Sequence, residues 1–225
     1  MAIAFDAATS DNGGSVTSLT TEHTCTGSDL VLIVGTSVGS STQTVTGVTY
    51  NGVGMTKVAG SEVSQSQNGT TALWYLINPA TGANDVVVSI SSSQNISVGI
   101  ASYTGASQSS QADVSSTNTA GSGTSFSTTL TTSTDNSWTI HQVSTNQNDE
   151  ITAGSGTTRR AHIVGSSGVI ACALQDSNAV ITPPASDTLN ADGSNSGFWI
   201  GGMITLLPAT ADTGNKSLQL LGVGN

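Results

Sequence analysis

Hydrophobic and polar residues alternate along most of this chain, and clusters of Gly, Asn, Asp and Ser separate the alternating segments. Alternation of period two is typical of β-strands that bury one face, because successive side chains point to opposite sides of a sheet. No window of helical length places apolar residues at the spacing of a helix face. The alternating segments are 17–25, 29–37, 44–50, 54–60, 71–77, 85–91, 96–104, 124–131, 137–144, 158–164, 169–175 and 197–207.

About a dozen short strands at this spacing predict an all-β fold: a two-sheet antiparallel β-sandwich, jelly-roll-like, formed by residues 1–208 as a single domain. Residues 30–34 are apolar at every position, which predicts a central strand covered on both faces or a strand near a sheet edge beneath a loop. Segment 17–25 has one Leu among polar neighbours, which favours a peripheral strand. The predicted core residues are Leu32, Val34, Leu73, Val87, Ile100, Ile140, Ile170 and Ile204.

Residues 48–58, VTYNGVGMTKV, predict a β-hairpin. Asn-Gly is the strongest short hairpin signal, because a type I′ turn needs positive φ at both central residues. Asn51 and Gly52 offer no reactive group, so the pattern favours a turn whose role is structural.

Residues 17–37 and 124–144 resemble each other when they are aligned without a gap. Both stretches have a strand–turn–strand pattern, and Asp29 faces Asn136 in the turn. Two explanations remain open: two related halves, about 1–106 and 124–208, joined by a Ser/Gly-rich linker at 107–124, or chance in a Ser/Thr-rich chain. The identical pairs are Thr17/Thr124, Ser18/Ser125, Thr21/Thr128, Thr24/Thr131, Ile33/Ile140 and Ser37/Ser144.

The charge balance excludes several classes of partner. Charged residues make up 8% of the chain, against about 25% in an average domain, and the formal net charge is -10. Only Lys57, Arg159, Arg160 and Lys216 are basic, so we expect no binding to nucleic acid or to an anionic membrane. The N-terminus shows no secretory signal and the apolar runs are too short to span a bilayer. These features predict synthesis in a cytoplasm without a signal peptide.

Metal and cofactor binding find no support in the spacing of candidate ligands. His23, His141 and His162 lie far apart, and a zinc site needs three or four convergent ligands. The loop 190–197, NADGSNSG, resembles a calcium loop but lacks the closing Glu. Cys25 and Cys172 could form a bridge, although two buried thiols are favoured in a chain made in a reducing cytosol. We expect no cofactor and no metal.

The sequence also lacks an arrangement typical of catalysis. No Gly-x-Ser-x-Gly elbow occurs, and Glu22, Glu62 and Glu150 have no aromatic platform beside them in a strand. We therefore expect no enzymatic activity.

A carbohydrate-binding surface would need exposed rings, and the chain has few. Trp74 and Tyr75 are neighbours, so in a strand they face opposite sides of a sheet. Trp138 and Trp199 lie in the most apolar segments, which favours packing in the core.

Several segments in the first 110 residues resemble β-sandwich proteins encoded in tailed-phage and prophage genomes. The resemblance lies in AFDAATS, TCTGSDLVLIVGTS, VTGVTYNGVGMTKV, ALWYLINPATGANDVVVSIS and ISVGIASYTGASQ. It implies a virion structural protein: a capsid decoration (cement) protein on the outer surface of the shell, or a tail-associated domain. It also implies a homo-oligomer, commonly a trimer, that binds the major capsid protein or other virion proteins. A receptor- or carbohydrate-binding module of a tail fibre or surface adhesin is the alternative.

Residues 209–225 are predicted to form a C-terminal arm. Leu218, Leu220, Leu221 and Val223 are too apolar to remain exposed in an extended segment. Two placements remain open: a last strand on the protein's own sandwich, or an arm laid on a neighbouring subunit or on the shell. The second placement makes these four residues the candidate partner-binding residues.

Overall fold

The computed structural model describes residues 2–210, which form two antiparallel sheets without any helix. No helix that could cross a bilayer occurs in this part of the chain. The predicted all-β, two-sheet antiparallel fold is confirmed, and its jelly-roll-like detail stays a prediction. The strands are β1 (Ala4–Cys25), β2 (Val31–Val38), β3 (Val45–Tyr50), β4 (Val53–Gly54), β5 (Thr56–Lys57), β6 (Val63–Gln65), β7 (Gly69–Ile77), β8 (Gly82–Thr104), β9 (Ser115–Thr131), β10 (Trp138–Thr145), β11 (Thr152–Ala153), β12 (Thr158–Ile163), β13 (Ala171–Asp176) and β14 (Ser186–Leu206).

Four strands are much longer than the alternation predicted. β1 spans 22 residues, β8 23, β9 17 and β14 21. In β1 the residues Gly13, Gly14 and Ser15, which resemble a turn, form an irregularity instead, and Ser15 has a φ of 53°. Bulges of this kind bend a strand without ending it, which alternation alone does not reveal.

β8 changes partners along its length, and this folds the first sheet around its own core. Residues 96–103 of β8 pair with β2, whereas residues 86–90 pair with β3, and β1 follows both parts. Leu32 and Val34 of β2 consequently share a core with Val86 and Val88 of β8. The other face of β2 carries residues of a different core, so the predicted central strand covered on both faces is confirmed.

The two sheets pack face to face through that second core. The first sheet contributes Val31, Ile33 and Tyr103, and the second contributes Trp138 and Ile140, among other residues. All five side chains are buried, so the two sheets share one apolar layer.

The predicted core residues are buried with one exception. Val87 is only half-buried, while its neighbours Val86 and Val88 face the core. Three consecutive valines fit the alternation in either phase, and pairing with the buried Val48 and Tyr50 of β3 selects Val86 and Val88. The prediction for Val87 was therefore wrong. The residues that are buried as predicted are Leu32, Val34, Leu73, Ile100, Ile140, Ile170 and Ile204.

The predicted hairpin is confirmed. Tyr50 pairs with Val53 across a two-residue turn, and Asn51 and Gly52 have φ angles of 50° and 75°. These are the positive angles that a type I′ turn requires.

Four strands lie in a corresponding order in the two sheets. β1-β8-β2-β7 in the first sheet corresponds to β9-β14-β10-β13 in the second. Asp29 and Asn136, which the sequence alignment places opposite each other, precede the two central strands and have positive φ angles of 49° and 60°. Part of the predicted linker, residues 115–124, belongs to β9. Below, residues 2–106 are called the first half and residues 107–210 the second half.

Replacing Leu32 with alanine is expected to lower the free energy of unfolding by ~2–5 kcal/mol, because it leaves a cavity in a fully buried site. Val87→Ala, one strand away and half-buried, is the matched control and should cost less than about 1 kcal/mol. Urea unfolding measures both. A Leu32→Ala loss under about 0.5 kcal/mol would contradict the assignment of Leu32 to the core.

Candidate functional site

A buried polar network at one end of the first half contains the residue types of a hydrolase site. The Thr9 hydroxyl lies 3.0 Å from His23 Nδ1, and His23 Nε2 lies 3.1 Å from Ser102 Oγ. Ser102 Oγ donates to Asp6 Oδ2 at 2.6 Å. Thr26 also donates to Asp6 through its backbone N–H and its hydroxyl.

The direction of these hydrogen bonds does not suit nucleophilic catalysis. The single proton of Ser102 goes to Asp6, so His23 Nε2 donates to Ser102 Oγ and Nδ1 accepts from Thr9. A catalytic histidine must instead accept the nucleophile's proton. Burial lowers the pKa of His23 to about 4, which keeps the ring neutral. Ser102 is also fully buried, so the network joins β1 to β8 rather than facing a substrate.

The carboxylate of Asp6 completes the network as a stable anion. Burial raises its pKa, but hydrogen bonds from Ser102 and Thr26 outweigh that effect and lower the pKa below its ordinary value. No local pattern indicated this pairing, because Asp6 and Ser102 are 96 residues apart.

Both cysteines are free, buried thiols, as the sequence favoured. Burial raises the pKa of Cys25, and it raises the pKa of Cys172 to about 12. Since the thiolate is the reactive form, neither residue suits nucleophilic or redox chemistry near neutral pH.

The second half encloses a stack of three rings. The Phe126 ring lies between His141, with centroids 5.9 Å apart, and Trp199, with centroids 6.1 Å apart. His141 Nε2 lies 3.1 Å from the Thr128 hydroxyl, and burial lowers the pKa of His141 to about 4. Gly201 makes room for this stack, because a Cβ there would lie 2.5 Å from His141 Nε2.

None of the three tryptophans lies on the surface. Trp74 packs in the core of the first half, Trp138 between the sheets and Trp199 in the second half. Tyr75 lies on the opposite face of β7 from Trp74, as predicted. The tryptophans therefore form no platform on which a sugar could stack.

A buried ion pair of the second half contacts two aromatic residues of the first half. Arg160 Nε donates to Asp176 Oδ2 at 2.6 Å, and Tyr103 Oη of the first half donates to the same oxygen at 2.9 Å. The Arg160 guanidinium also lies over the Phe5 ring, 4.2 Å from its centroid. Burial raises the pKa of Asp176 although Arg160 opposes the rise, and burial with the negative charge of Asp176 raises the pKa of Tyr103.

Residues 190–197, predicted as a polar loop, lie instead within β14 at an irregularity of the strand, and the carboxylate of Asp149 holds them. Asp149 accepts hydrogen bonds from the Asn195 backbone N–H at 2.7 Å and from the Ser194 hydroxyl at 2.7 Å, and these lower its pKa. Its oxygens are therefore used within the protein. Between residues 2 and 210 no group of three or more His, Cys, Asp or Glu side chains is placed to hold a metal ion.

The basic side chains of residues 2–210 are all paired with carboxylates. Lys57 lies 3.0 Å from Glu62, and Arg159 lies 2.7 Å from Glu150, in addition to the buried Arg160 pair. No unpaired cation within this range is thus available to contact a phosphate backbone.

Two open grooves are lined by polar side chains. One, of about 450 Å³, lies at the tip of the predicted hairpin and is bordered by Glu22, Asn51 and Asp85. The other, of about 380 Å³, lies between the two halves and is bordered by asparagines and serines that include Asn68 and Ser166. The candidate partner-binding residues Leu218, Leu220, Leu221 and Val223 lie outside the described residues.

Comparisons with protein-family models, with curated proteins and with solved structures found no match for the chain.

Proposed function

We propose that this protein is a non-enzymatic structural component of a tailed-phage virion. Its role is that of a capsid decoration, or cement, protein on the outer surface of the assembled shell. Its partners are the major capsid protein or other virion proteins, and it acts as a homo-oligomer, with a trimer favoured by the sequence resemblance.

One observation carries the proposal: the side chains that could be reactive are buried, and their polar atoms are hydrogen-bonded to other groups of the protein. His23, Ser102 and Asp176 are buried and hydrogen-bonded to protein partners, and both thiols are buried. Hydroxyls and amides cover much of the outer strands, as in the Thr129–Thr188 contact between β9 and β14 at 2.7 Å. A surface with little charge and few reactive groups suits a protein that persists outside the cell and binds by shape.

The alternative role, a sugar- or receptor-binding module that uses stacked rings, has less support. It requires exposed aromatic side chains, and Trp74, Trp138 and Trp199 are at most 6% exposed. Stacking on those rings would require the core to open.

The recombinant protein is expected to bind empty shells that lack it and to raise their melting temperature. A ligand that binds only the assembled state stabilises that state by mass action. Co-sedimentation measures binding, and differential scanning calorimetry measures the shift. Shells with equal melting temperatures in the presence and absence of bound protein would exclude cementing, and the absence of any co-sedimentation would exclude attachment to the shell.

The C-terminal arm is proposed to make part of this attachment through Leu218, Leu220, Leu221 and Val223. The chain leaves the described fold where Pro208 pairs with Ala106 and the Ala209 N–H donates to Gly105 O at 2.8 Å. A chain that ends at Thr210 keeps both contacts and is therefore the suitable truncation.

This truncated chain is expected to keep its melting temperature as a monomer and to lose oligomerisation or shell binding. Size-exclusion chromatography with light scattering gives the oligomeric state, and thermal unfolding gives the stability. A matched variant, with Leu218, Leu220, Leu221 and Val223 replaced by Ser in the full chain, separates the apolar contacts from chain length. A truncated monomer that melts much lower than the full chain would place the arm in the protein's own core.

A further inference from the structure

The groove between the two halves has a wall from each half. Asn68 and Asn95 come from the first half, and Asn148, Ser166 and Ile170 come from the second. Its volume of about 380 Å³ lies within the range of ~300–1,000 Å³ that is usual for small-molecule sites. No charged side chain lines it.

Asn68 ties the two walls of the groove together. Its Nδ2 donates to Ser144 O at 2.9 Å and to Phe198 O at 3.1 Å, which fixes the amide across the two halves. Its Oδ1 is buried and accepts no hydrogen bond within residues 2–210. Because this oxygen is enclosed by the protein, Asn68 holds the two walls together and its Oδ1 is not a contact for a ligand in the groove. The residue is 8% exposed, and its two hydrogen bonds hold the amide in a defined orientation in the groove wall.

Further polar groups around the groove are free to bind a ligand. Among the described residues, the side chains of Asn148, Ser166 and Ser167 make no hydrogen bond, and all three are exposed. Ser166 pairs with Val169 across a short turn, which holds the serines at the rim. Val169 and Ile170 supply an apolar patch beside these amides and hydroxyls.

We propose that this inter-half groove binds a neutral sugar. Amide and hydroxyl side chains both donate to and accept from the ring hydroxyls of a sugar, and the apolar patch suits its C–H face. A phosphorylated or acidic sugar is disfavoured, because no Lys or Arg lines the groove and the chain carries a net charge of -10. Without a stacking ring the affinity for one sugar unit is weak, and repeated copies on a particle would strengthen attachment.

The inference does not rest on the proposed shell binding, since a sugar can bind the isolated protein. The test is a titration of the isotope-labelled full chain with glucose, galactose, mannose and N-acetylglucosamine, followed by amide NMR shifts. We expect at least one neutral sugar to shift the signals of residues 166–170 and the side-chain amides of Asn68 and Asn148. Glucuronate, the charged counterpart of glucose, should produce smaller shifts.

A double variant, Asn148→Ala with Ser166→Ala, removes two groups that make no hydrogen bond within the described protein, so its melting temperature should stay unchanged. The matched control is Thr49→Ala in the hairpin-tip groove. We expect the double variant to weaken sugar binding at least tenfold and the control to leave it unchanged. The proposal is overturned by saturating shifts from none of the neutral sugars, by shifts outside the groove, or by equal affinity in the double variant.

Discussion

Replacing Arg160 with alanine is expected to lower the free energy of unfolding at pH 7 by about 3–5 kcal/mol, because it leaves a buried carboxylate without its cation. The Asp176 side chain is 0% exposed and the Arg160 side chain 13% exposed. The substitution also removes the guanidinium from the Phe5 ring, so packing between the two halves weakens as well. Urea unfolding, followed by intrinsic fluorescence, measures the loss.

The neighbouring residue provides the matched control. Arg159 pairs with Glu150, whose side chain is 46% exposed, so Arg159→Ala should cost less than about 1 kcal/mol. The double variant Arg160→Ala with Asp176→Asn should lose less stability than Arg160→Ala alone, because it carries no buried charge. Equal losses for Arg159→Ala and Arg160→Ala would show that the buried pair has no special role.

The pH dependence of Arg160→Ala gives a second test of the same idea. Burial already raises the pKa of Asp176, and removing Arg160 takes away the cation that opposes the rise. A carboxyl whose pKa is higher in the folded than in the unfolded protein stabilises the fold at low pH. This contribution to the free energy of unfolding is lost as the pH rises. The deficit relative to the parent protein should therefore shrink when the pH is lowered from 7 to 5.

Acidification is expected to destabilise the parent protein between about pH 6.5 and pH 4, by about 3 kcal/mol for each of two histidines. Burial lowers the pKa of His23 and of His141 from 6.5 to about 4. Their stabilising effect is complete above the unfolded pKa. It is lost as the pH falls toward the folded pKa, because only the unfolded chain takes up the protons. Asp6, Asp113 and Asp149 have lowered pKa values and add a further loss below this window.

Substituting each histidine in turn shows how much His23, His141 and His162 each contribute to the pH dependence of stability. His23→Gln and His141→Gln keep a polar amide at each site and remove the titration, so each should flatten the fall in stability between pH 6.5 and pH 4. His162→Gln is the comparison variant: partial burial and Arg159 lower the pKa of His162 as well, but its side chain is 37% exposed, so its removal should flatten the fall less. Chemical unfolding at several pH values measures the slopes. An unchanged slope in both buried-site variants would mean that these histidines are protonated in the folded protein.

The period of the hydrophobic pattern was sufficient to predict the class of fold, because a strand puts successive side chains on opposite faces. Leu32 and Ile33 were both apolar, and they lie in different cores on the two faces of β2. Asn51-Gly52 predicted its hairpin because few other residue pairs adopt two consecutive positive φ angles. Strand alternation and turn conformation depend on residues that are neighbours along the chain, so the sequence was enough to predict them.

Two features depended on contacts between distant parts of the chain: the length of the long strands, and which of the valines around Val87 face the core. Residues 12–15 resemble a turn, yet pairing with β8 on the far side of the irregularity continues β1 through them. Val86, Val87 and Val88 fit either face, and the register with β3 selected two of them for the core.

The polar arrangements were decided by the tertiary structure alone. Asp6, His23 and Ser102 meet because β1 pairs with β8, and Asn68 and Asn148 line one groove only because the two halves pack together. These hydrogen bonds join residues that are distant along the chain, and the pattern of hydrophobic and polar positions does not predict such pairs. The sequence by itself therefore determined the strands, the hairpin and most of the core. Strand pairing and the packing of the two sheets decided which polar groups were buried and hydrogen-bonded, and which were left at the groove between the halves.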